Sequence, residues 1–406
     1  MTEIFLKFVN NGISAGWLIL IVILIRKLPK IPKSLRPVFW GLVGIRLMLL
    51  VSVKSVFSLI PSVQTIAPEI MYAKSPRIYT GVGMVNTIVN PIVAESFSPN
   101  PGDSANPLQI LIPILAVVWI FGVVFMLGFA LVSCLRLRRR IRTAVLLDKN
   151  IYQSEEVFSP FVFGFLHPRI YLPFAVDKKT MHNVILHEQE HIARYDHLRK
   201  ILGYLLISLY WFHPLCWAAY LLFCRDIELA CDERVICNLG REERADYSET
   251  LLSFCMPGKK RDICPLAFGE IAVKERVKNV LRYKEPVSWV VTAALAACVV
   301  IAVCFLTNPK QINFREAGLK EIYFLKEGDL LGGRLSFSDD YSYTLIFSGL
   351  SSYIGYGEYE IEGKKLKLSN FFDDNKYVFD IVNGTLVFDG EASTDTRWWK
   401  GGEVLE

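Results

Sequence analysis

The stretch ILHEQEHIARYDH (185–197) sets His187 and His191 four residues apart, with Glu188 directly after the first. On a helix, positions i and i+4 share a face, so both imidazoles can reach one metal ion with Glu188 beside them, near a metal-bound water. Zinc at such a place lowers the pKa of its water toward neutrality and polarises a carbonyl, while a carboxylate takes the water's proton and passes it to a leaving amine. The competing reading is a polar helix face whose Glu and His residues pair with Arg194 and Lys200. A third ligand separates the two. In DIELACDERV (226–235), Glu228 and Asp232 are again i and i+4, so Glu228 can complete a His, His, Glu set and Asp232 can hold one imidazole from behind.

These residues need particular elements to bring them together. No Gly or Pro interrupts 178–201, and Val184, Ile185, Leu186 and Ile192 supply apolar positions, so this region reads as one helix. On a continuous helix His197, six residues after His191, faces away from the metal as a polar neighbour. A second helix from Ile201 should end near WFHPLCW (211–217), broken by Pro214, so that the chain turns and returns Glu228 to the histidines. His213, before that proline in an aromatic cluster, reads as a hydrogen-bonded structural residue.

The surroundings are those of a membrane protein. Of 406 residues 52% are hydrophobic, and the mean hydropathy is +0.34, above the usual soluble range. Four segments have the roughly 18–20 apolar residues that a span needs: 8–25, 38–60, 108–135 and 287–306. The first lacks a small-residue cleavage site, so it reads as a span rather than a cleaved signal. Arg46 and Lys54, inside the second, are costly in lipid and should face protein. Basic clusters at 26–36, 136–142 and 274–284 all fall on one side if four segments cross, and that side is the cytosol. A further apolar segment, 201–223, would reverse the last cluster if it crossed, so it should be buried in protein or dip into the bilayer. All nine cysteines lie between Cys134 and Cys304, so no disulfide framework is implied outside the membrane. The net charge of +5 is concentrated in the membrane flanks, which suits anionic lipid and gives no support for direct nucleic-acid binding.

LHEQEHIARYDHLRK, WFHPLCW and DIELACDERV, with three spans before and one after, resemble the membrane zinc metallopeptidases of the beta-lactam sensor and signal-transducer (antirepressor) family. SPFVFGFLHPRIYLP (159–173) is similar to that family's extended segment before the zinc helix, which could pair with a peptide as an added strand. The likeness covers roughly 12–306. It implies one catalytic Zn2+ held by His187, His191 and Glu228, Glu188 as general base, and Asp232 supporting a ligand from behind. It also implies signalling: an outer domain senses a ligand, and the cytosolic protease then cleaves itself and a cytosolic transcriptional repressor. Two features depart from the pattern. Glu190 is charged where zinc proteases usually carry an uncharged residue, and residues 308–406 hold no Ser followed three later by Lys, the nucleophile motif of penicillin-binding sensors.

Those last residues read as β instead. Tyr359/Ile361, Leu366/Leu368, Tyr377/Phe379/Ile381 and Leu386/Phe388 alternate with polar positions, and EGKK (362–365) and NG (383–384) supply turns. The expected form is a small antiparallel barrel or sandwich whose aromatics are core, its outer ligand unassigned. The whole is then a mainly α membrane protein of four transmembrane helices. The expected domains are a membrane region (1–135) with an outer loop (64–106), a cytosolic, α-rich gluzincin-like zinc metalloprotease domain (136–286) with a short extended segment, a fourth span (287–307), and a small all-β extracytoplasmic sensor (308–406). The linker 256–282 contains PGKKRD (257–262), a basic stretch with Gly and Pro that is expected to be an exposed loop where self-cleavage can occur. Constitutive membrane quality control, and a receptor or scaffold with a structural zinc, are the alternatives; a homodimer is left open.

Overall fold

The computed structural model describes residues 1–28, 30–50, 53–62, 64–72, 76–97, 106–174, 176–253, 273–309, 314–324, 332–338, 341–348, 354–370, 375–394, 401–402 and 404–405. Among them the helices are α1 (Thr2–Arg26), α2 (Arg36–Met48), α3 (Gly83–Phe97), α4 (Leu108–Arg140), α5 (Lys178–Ala193), α6 (Asp196–Leu209), α7 (Pro214–Ile236), α8 (Arg241–Ser253), α9 (Val273–Leu281) and α10 (Ser288–Leu306). The strands are β1 (Lys54–Ser55), β2 (Val145–Asp148), β3 (Ile151–Ser154), β4 (Phe161–Phe163), β5 (Arg169–Pro173), β6 (Asn308–Pro309), β7 (Ile322–Phe324), β8 (Gly332–Phe337), β9 (Ser342–Ser348), β10 (Ile354–Glu362), β11 (Lys365–Asn370), β12 (Lys376–Val382), β13 (Thr385–Phe388) and β14 (Val404–Leu405). The chain forms two compact units: Met1–Leu6, Val53–Ala116 and Asn308–Glu406 in one, Lys7–Ser52 and Val117–Thr307 in the other.

Three described helices are long and apolar enough to cross a membrane: α1, α4 with its following turn, and α10. The segment expected to be the second span differs. Its helix, α2, ends at Met48 after 13 residues, and Leu49 turns to an extended conformation. The reason is polar capture of its last turn: the Asn11 amide donates to the carbonyls of Arg46 and Leu47 at 3.2 Å each, and the Tyr210 hydroxyl donates to Leu47 at 2.8 Å. Carbonyls that would otherwise go unpaired are thereby satisfied within protein. Arg46 is 2% exposed and so faces protein, as its cost in lipid requires.

The apolar segment 201–223 is not one helix. The first part, α6, ends at Leu209, where its carbonyl accepts from Trp119 Nε1 at 2.8 Å. Pro214 then opens α7, where its missing N–H costs nothing. Gly122 of α4 faces the Trp211 indole so closely that a Cβ there would overlap it.

A four-stranded sheet in the order β2, β3, β5, β4 lies in the same unit. One face packs Tyr171 and Val157 against Leu137 and Ile141 at the end of α4. The other packs Ile151, Ile170 and Leu172 against Val184 of α5. The expected self-cleavage motif, 257–262, lies outside the described residues; the later part of that linker forms helix α9, with Arg276 buried.

In the other unit β7 to β14 form one antiparallel sheet in which each strand pairs with the next in sequence. The two hairpins expected from EGKK and NG are present, with Glu362 opposite Lys365 and Val382 opposite Thr385. The alternating aromatics are core: Tyr323, Tyr343, Tyr377 and Phe379 are fully buried in one cluster fed by every strand. The sheet curls on itself, since the Tyr323 hydroxyl on β7 donates to the Gly384 carbonyl in the β12–β13 turn at 2.6 Å. At Gly357 the β11 strand passes so near that a Cβ would overlap the Ser369 carbonyl. Gly357→Ala should destabilise this sheet by about 1–3 kcal/mol, the cost of overpacking; thermal unfolding monitored by near-UV circular dichroism would measure it.

Candidate metal centre

Helix α5 starts at Asp177, whose carboxylate accepts from the Thr180 backbone N–H at 3.0 Å, a capping bond that fixes where the helix begins. Its buried face is Val184, His187, Glu188 and His191. The two imidazoles turn their Nε2 atoms toward each other, 3.2 Å apart. Opposite them on α7 stands Glu228, 4% exposed, with Oε2 3.5 Å from His187 Nε2 and Oε1 3.5 Å from His191 Nε2. Nitrogen and oxygen ligands about 2.1 Å from a tetrahedral ion stand about 3.4 Å from one another. The spacing of these three groups fits a metal of that kind. The Sγ of Cys231 is a further donor, since ligand atoms of His187, His191 and Cys231 all lie within 4.8 Å of one another. It faces His187 Nδ1 at 3.5 Å, however, on the ring nitrogen turned away from His191. That nitrogen is already paired with Tyr247, whereas the Glu228 carboxylate faces both Nε2 atoms.

Each imidazole is held from behind. His187 Nδ1 lies 2.8 Å from the Tyr247 hydroxyl, which in turn donates to Asp232 Oδ1 at 2.7 Å, and Asp232 is itself 3.4 Å from the ring. His191 Nδ1 lies 2.9 Å from Asp196 Oδ2. Pairing Nδ1 with a carboxylate or hydroxyl turns Nε2 inward, the usual way a ligating histidine is oriented, and Arg276 Nη2 stands 3.3 Å from His187 Nε2.

Asp196 reaches His191 because the helix does not continue. The uninterrupted helix expected over 178–201 ends at Ala193, and Tyr195 adopts a left-handed conformation with φ of 57° before α6 begins at Asp196. A non-glycine residue there costs roughly 1–2 kcal/mol. The sharp turn also redirects His197, half-buried and bonded to the Phe165 backbone, away from the pair. The polar-face reading had Glu and His pairing with Arg194 and Lys200; instead Glu190 meets Arg234 of α7 at 3.2 Å, and Lys200 donates to Glu228 at 2.9 Å.

Arg276 completes the group. Its Nε and Nη2 hold Asp232 in a bidentate pair at 2.7 and 2.8 Å, and its Nη1 lies 3.4 Å from Glu228 Oε2. Burial opposes charge on these carboxylates, but Lys200 and the imidazoles hold Glu228 well below the usual carboxylate range, and Arg276 does the same for Asp232. At His187 burial works against protonation, while Cys231 and Glu228 favour it and prevail, raising its pKa to about 10.

Asp196, Tyr247, Cys231 and Arg276 were not among the residues expected from sequence. Only Asp196 and Cys231 had a local signal, lying within the stretches 185–197 and 226–235; the other two come from α8 and α9. The structure brings His187, His191, Glu228 and Asp232 together and buries Glu188 on the same turn as His187, at 7% exposure.

A His-Glu-x-x-His helix facing a carboxylate-bearing helix, in a chain with membrane-crossing helices, defines a membrane metallopeptidase. The family model described as BlaR1 peptidase M56 matches residues 6–280, well over half of the chain, which therefore belongs to that family. Among curated proteins the chain is similar to the methicillin resistance mecR1 proteins of Staphylococcus aureus and Staphylococcus epidermidis, 29% identical over 143 residues. That match covers 33% of this chain and 24% of the relatives' length.

If Asp196 orients His191, Asp196→Asn should weaken metal binding about 10- to 100-fold, as loss of a ligand's supporting carboxylate does elsewhere. Competition against a chelator of known zinc affinity would measure it, and an unchanged affinity would remove Asp196 from the site.

Proposed function

We propose that this chain is an integral-membrane zinc endopeptidase that couples an extracytoplasmic stimulus to proteolysis on the cytosolic side. The observation that carries the reading is the convergence of His187 Nε2, His191 Nε2 and the Glu228 carboxylate at 3.2–3.5 Å, each imidazole backed by an acidic or hydroxyl partner. His187, His191 and Glu228 hold the ion. When bound, zinc supplies a water of lowered pKa and a Lewis acid for the scissile carbonyl. Glu188 accepts the proton of the attacking water and delivers it to the leaving amine. Asp232, through Tyr247 and directly, keeps His187 in the tautomer that presents Nε2. Strand β4 is an edge of its sheet among the described residues and packs against α5, so an extended substrate segment can add to it as a further strand.

Topology supports the cytosolic side. The basic ends of α1 and α4 and the basic helix α9 all touch the metal domain: Arg26 bonds Asp226, Leu137 and Ile141 pack on Tyr171, and Arg276 bonds Asp232. Lys/Arg-rich flanks gathered on one side read as cytosolic. With α1 and α4 both ending there, the chain between them crosses back through α2 and the residues after it. Helix α2 covers about 20 Å of that return at 1.5 Å per residue. Four crossings leave the N-terminus and the β domain outside, where the latter serves as sensor. A cytosolic repressor protein as substrate, anionic lipid at the basic flanks, and no direct nucleic-acid contact complete the reading.

Glu188→Gln should retain zinc and lose cleavage, because the amide is nearly isosteric but cannot accept the proton; His187→Ala should lose both. Zinc content and hydrolysis of a quenched-fluorescence peptide library by the purified full chain decide this, and a Glu188→Gln protein that still cleaves at the normal rate overturns the mechanism. For topology, a reporter fused after Gly240 should report the cytosol and one fused after Gly363 the outside. The reverse at Gly363 would rule out an outer sensor.

A further inference from the structure

A second buried charge cluster lies on the same helix as Glu228. Asp226, 0% exposed, accepts from Arg26 Nε at 2.9 and 2.8 Å through its two oxygens, from Arg36 Nη1 at 3.3 Å, and from Trp40 Nε1 at 2.8 Å. Arg26 is the last residue of α1, and Arg36 and Trp40 begin α2. The turn joining those helices is also fixed to α7 where the Ser34 backbone N–H donates to Glu233 Oε2 at 2.5 Å. None of these groups takes part in the metal centre.

We propose that Asp226, gripped by Arg26, Arg36 and Trp40, is a positioning residue for the metal centre: it fixes the rotation of α7 that points Glu228 at the two histidines, and so makes metal affinity depend on how α1 and α2 sit against α7. The inference rests on the reading of Glu228 as a ligand. Two residues along a helix turn about 200°, so Asp226 and Glu228 project from nearly opposite sides of α7. One side packs against α2 and the other against α5. A rotation that slackened the Asp226 contacts would swing Glu228 away from the imidazoles by the same angle. A carboxylate is the suitable grip because two guanidinium groups at 15% and 6% side-chain exposure lie against it and need a counter-charge. The geometry therefore resists any slip of α1 or α2 that would strand those charges. A change in the packing of these two helices is then felt at the metal through one rigid helix, with no contact between the helices and the ion.

The test is a double-mutant cycle on the full-length chain in detergent, with zinc affinity measured by chelator competition. Asp226→Asn should weaken zinc binding about 10- to 100-fold, the range for residues that orient a ligand from behind. In a Glu228→Gln background the same substitution should have no further effect, because the clamp acts only through Glu228. Equal weakening in both backgrounds would show a general loosening of the fold and overturn the proposal, as would no weakening in the first. If Glu228→Gln itself leaves zinc affinity unchanged, the ligand reading is what has failed, and the clamp falls with it. Should Asp226→Asn not accumulate, Trp40→Phe, which removes one hydrogen bond, should follow the same pattern with a roughly two- to tenfold effect.

Discussion

Charge compensation inside helix α7 is the constraint from which the rest of the metal-binding unit follows. Asp226, Glu228 and Asp232 are 0, 4 and 2% exposed, and an ionised carboxylate without a partner at such depth is not sustainable. Each therefore recruits cations from elsewhere in the chain: Arg26 and Arg36 for the first, Lys200 and Arg276 for the second, Arg276 again for the third. Those partners sit on α1, α2, α6 and α9, so satisfying one helix draws four others against it. The fold and the site are the same solution to one electrostatic problem, and this explains why α7 is anchored to α1, one of the helices long and apolar enough to cross a membrane.

The parts of the site that sequence revealed are those whose geometry is local. His187 and His191, or Glu228 and Asp232, are placed on common faces by helical periodicity alone, and Pro214 marked the start of α7 although not the end of α6. The two hairpins around Gly363 and Gly384 were legible because strand alternation and turn residues coincide there. What stayed hidden depends on residues distant in sequence. Tyr247 lies 60 residues from the histidine it holds, and Arg276 lies 44 from the Asp232 it holds. The short α2 was hidden for the same reason: its composition favours a longer helix, and only Asn11 and Tyr210, from two other segments, capture its carbonyls. Tyr195 is a different case, since nothing in its side chain favours a left-handed backbone. Its conformation is imposed by what surrounds it.

That imposed turn has a compensating role. Tyr195 is strained so that Asp196, rather than a residue one turn further on, meets His191, and Asp196 is in turn flanked by Arg194 at 3.7 Å and Arg199 at 3.5 Å. Backbone strain at a functional position persists when neighbouring interactions over-determine it. Here a carboxylate held by two guanidinium groups and one imidazole does so, and the same contacts fix the ring that presents Nε2.

The β domain obeys another logic. Because every strand from β7 to β14 pairs with its successor, no pairing waits for a distant part of the chain to arrive. Proteins rich in contacts between near neighbours in sequence fold quickly, since little loop entropy is lost before each contact forms. The sheet can therefore grow hairpin by hairpin in the order in which its strands are synthesised, each new strand adding to the edge left by the last. Only the final curl, when Tyr323 of the first strand meets the turn at Gly384, has to wait for the later strands. A domain of this design pairs each strand at little cost in loop entropy.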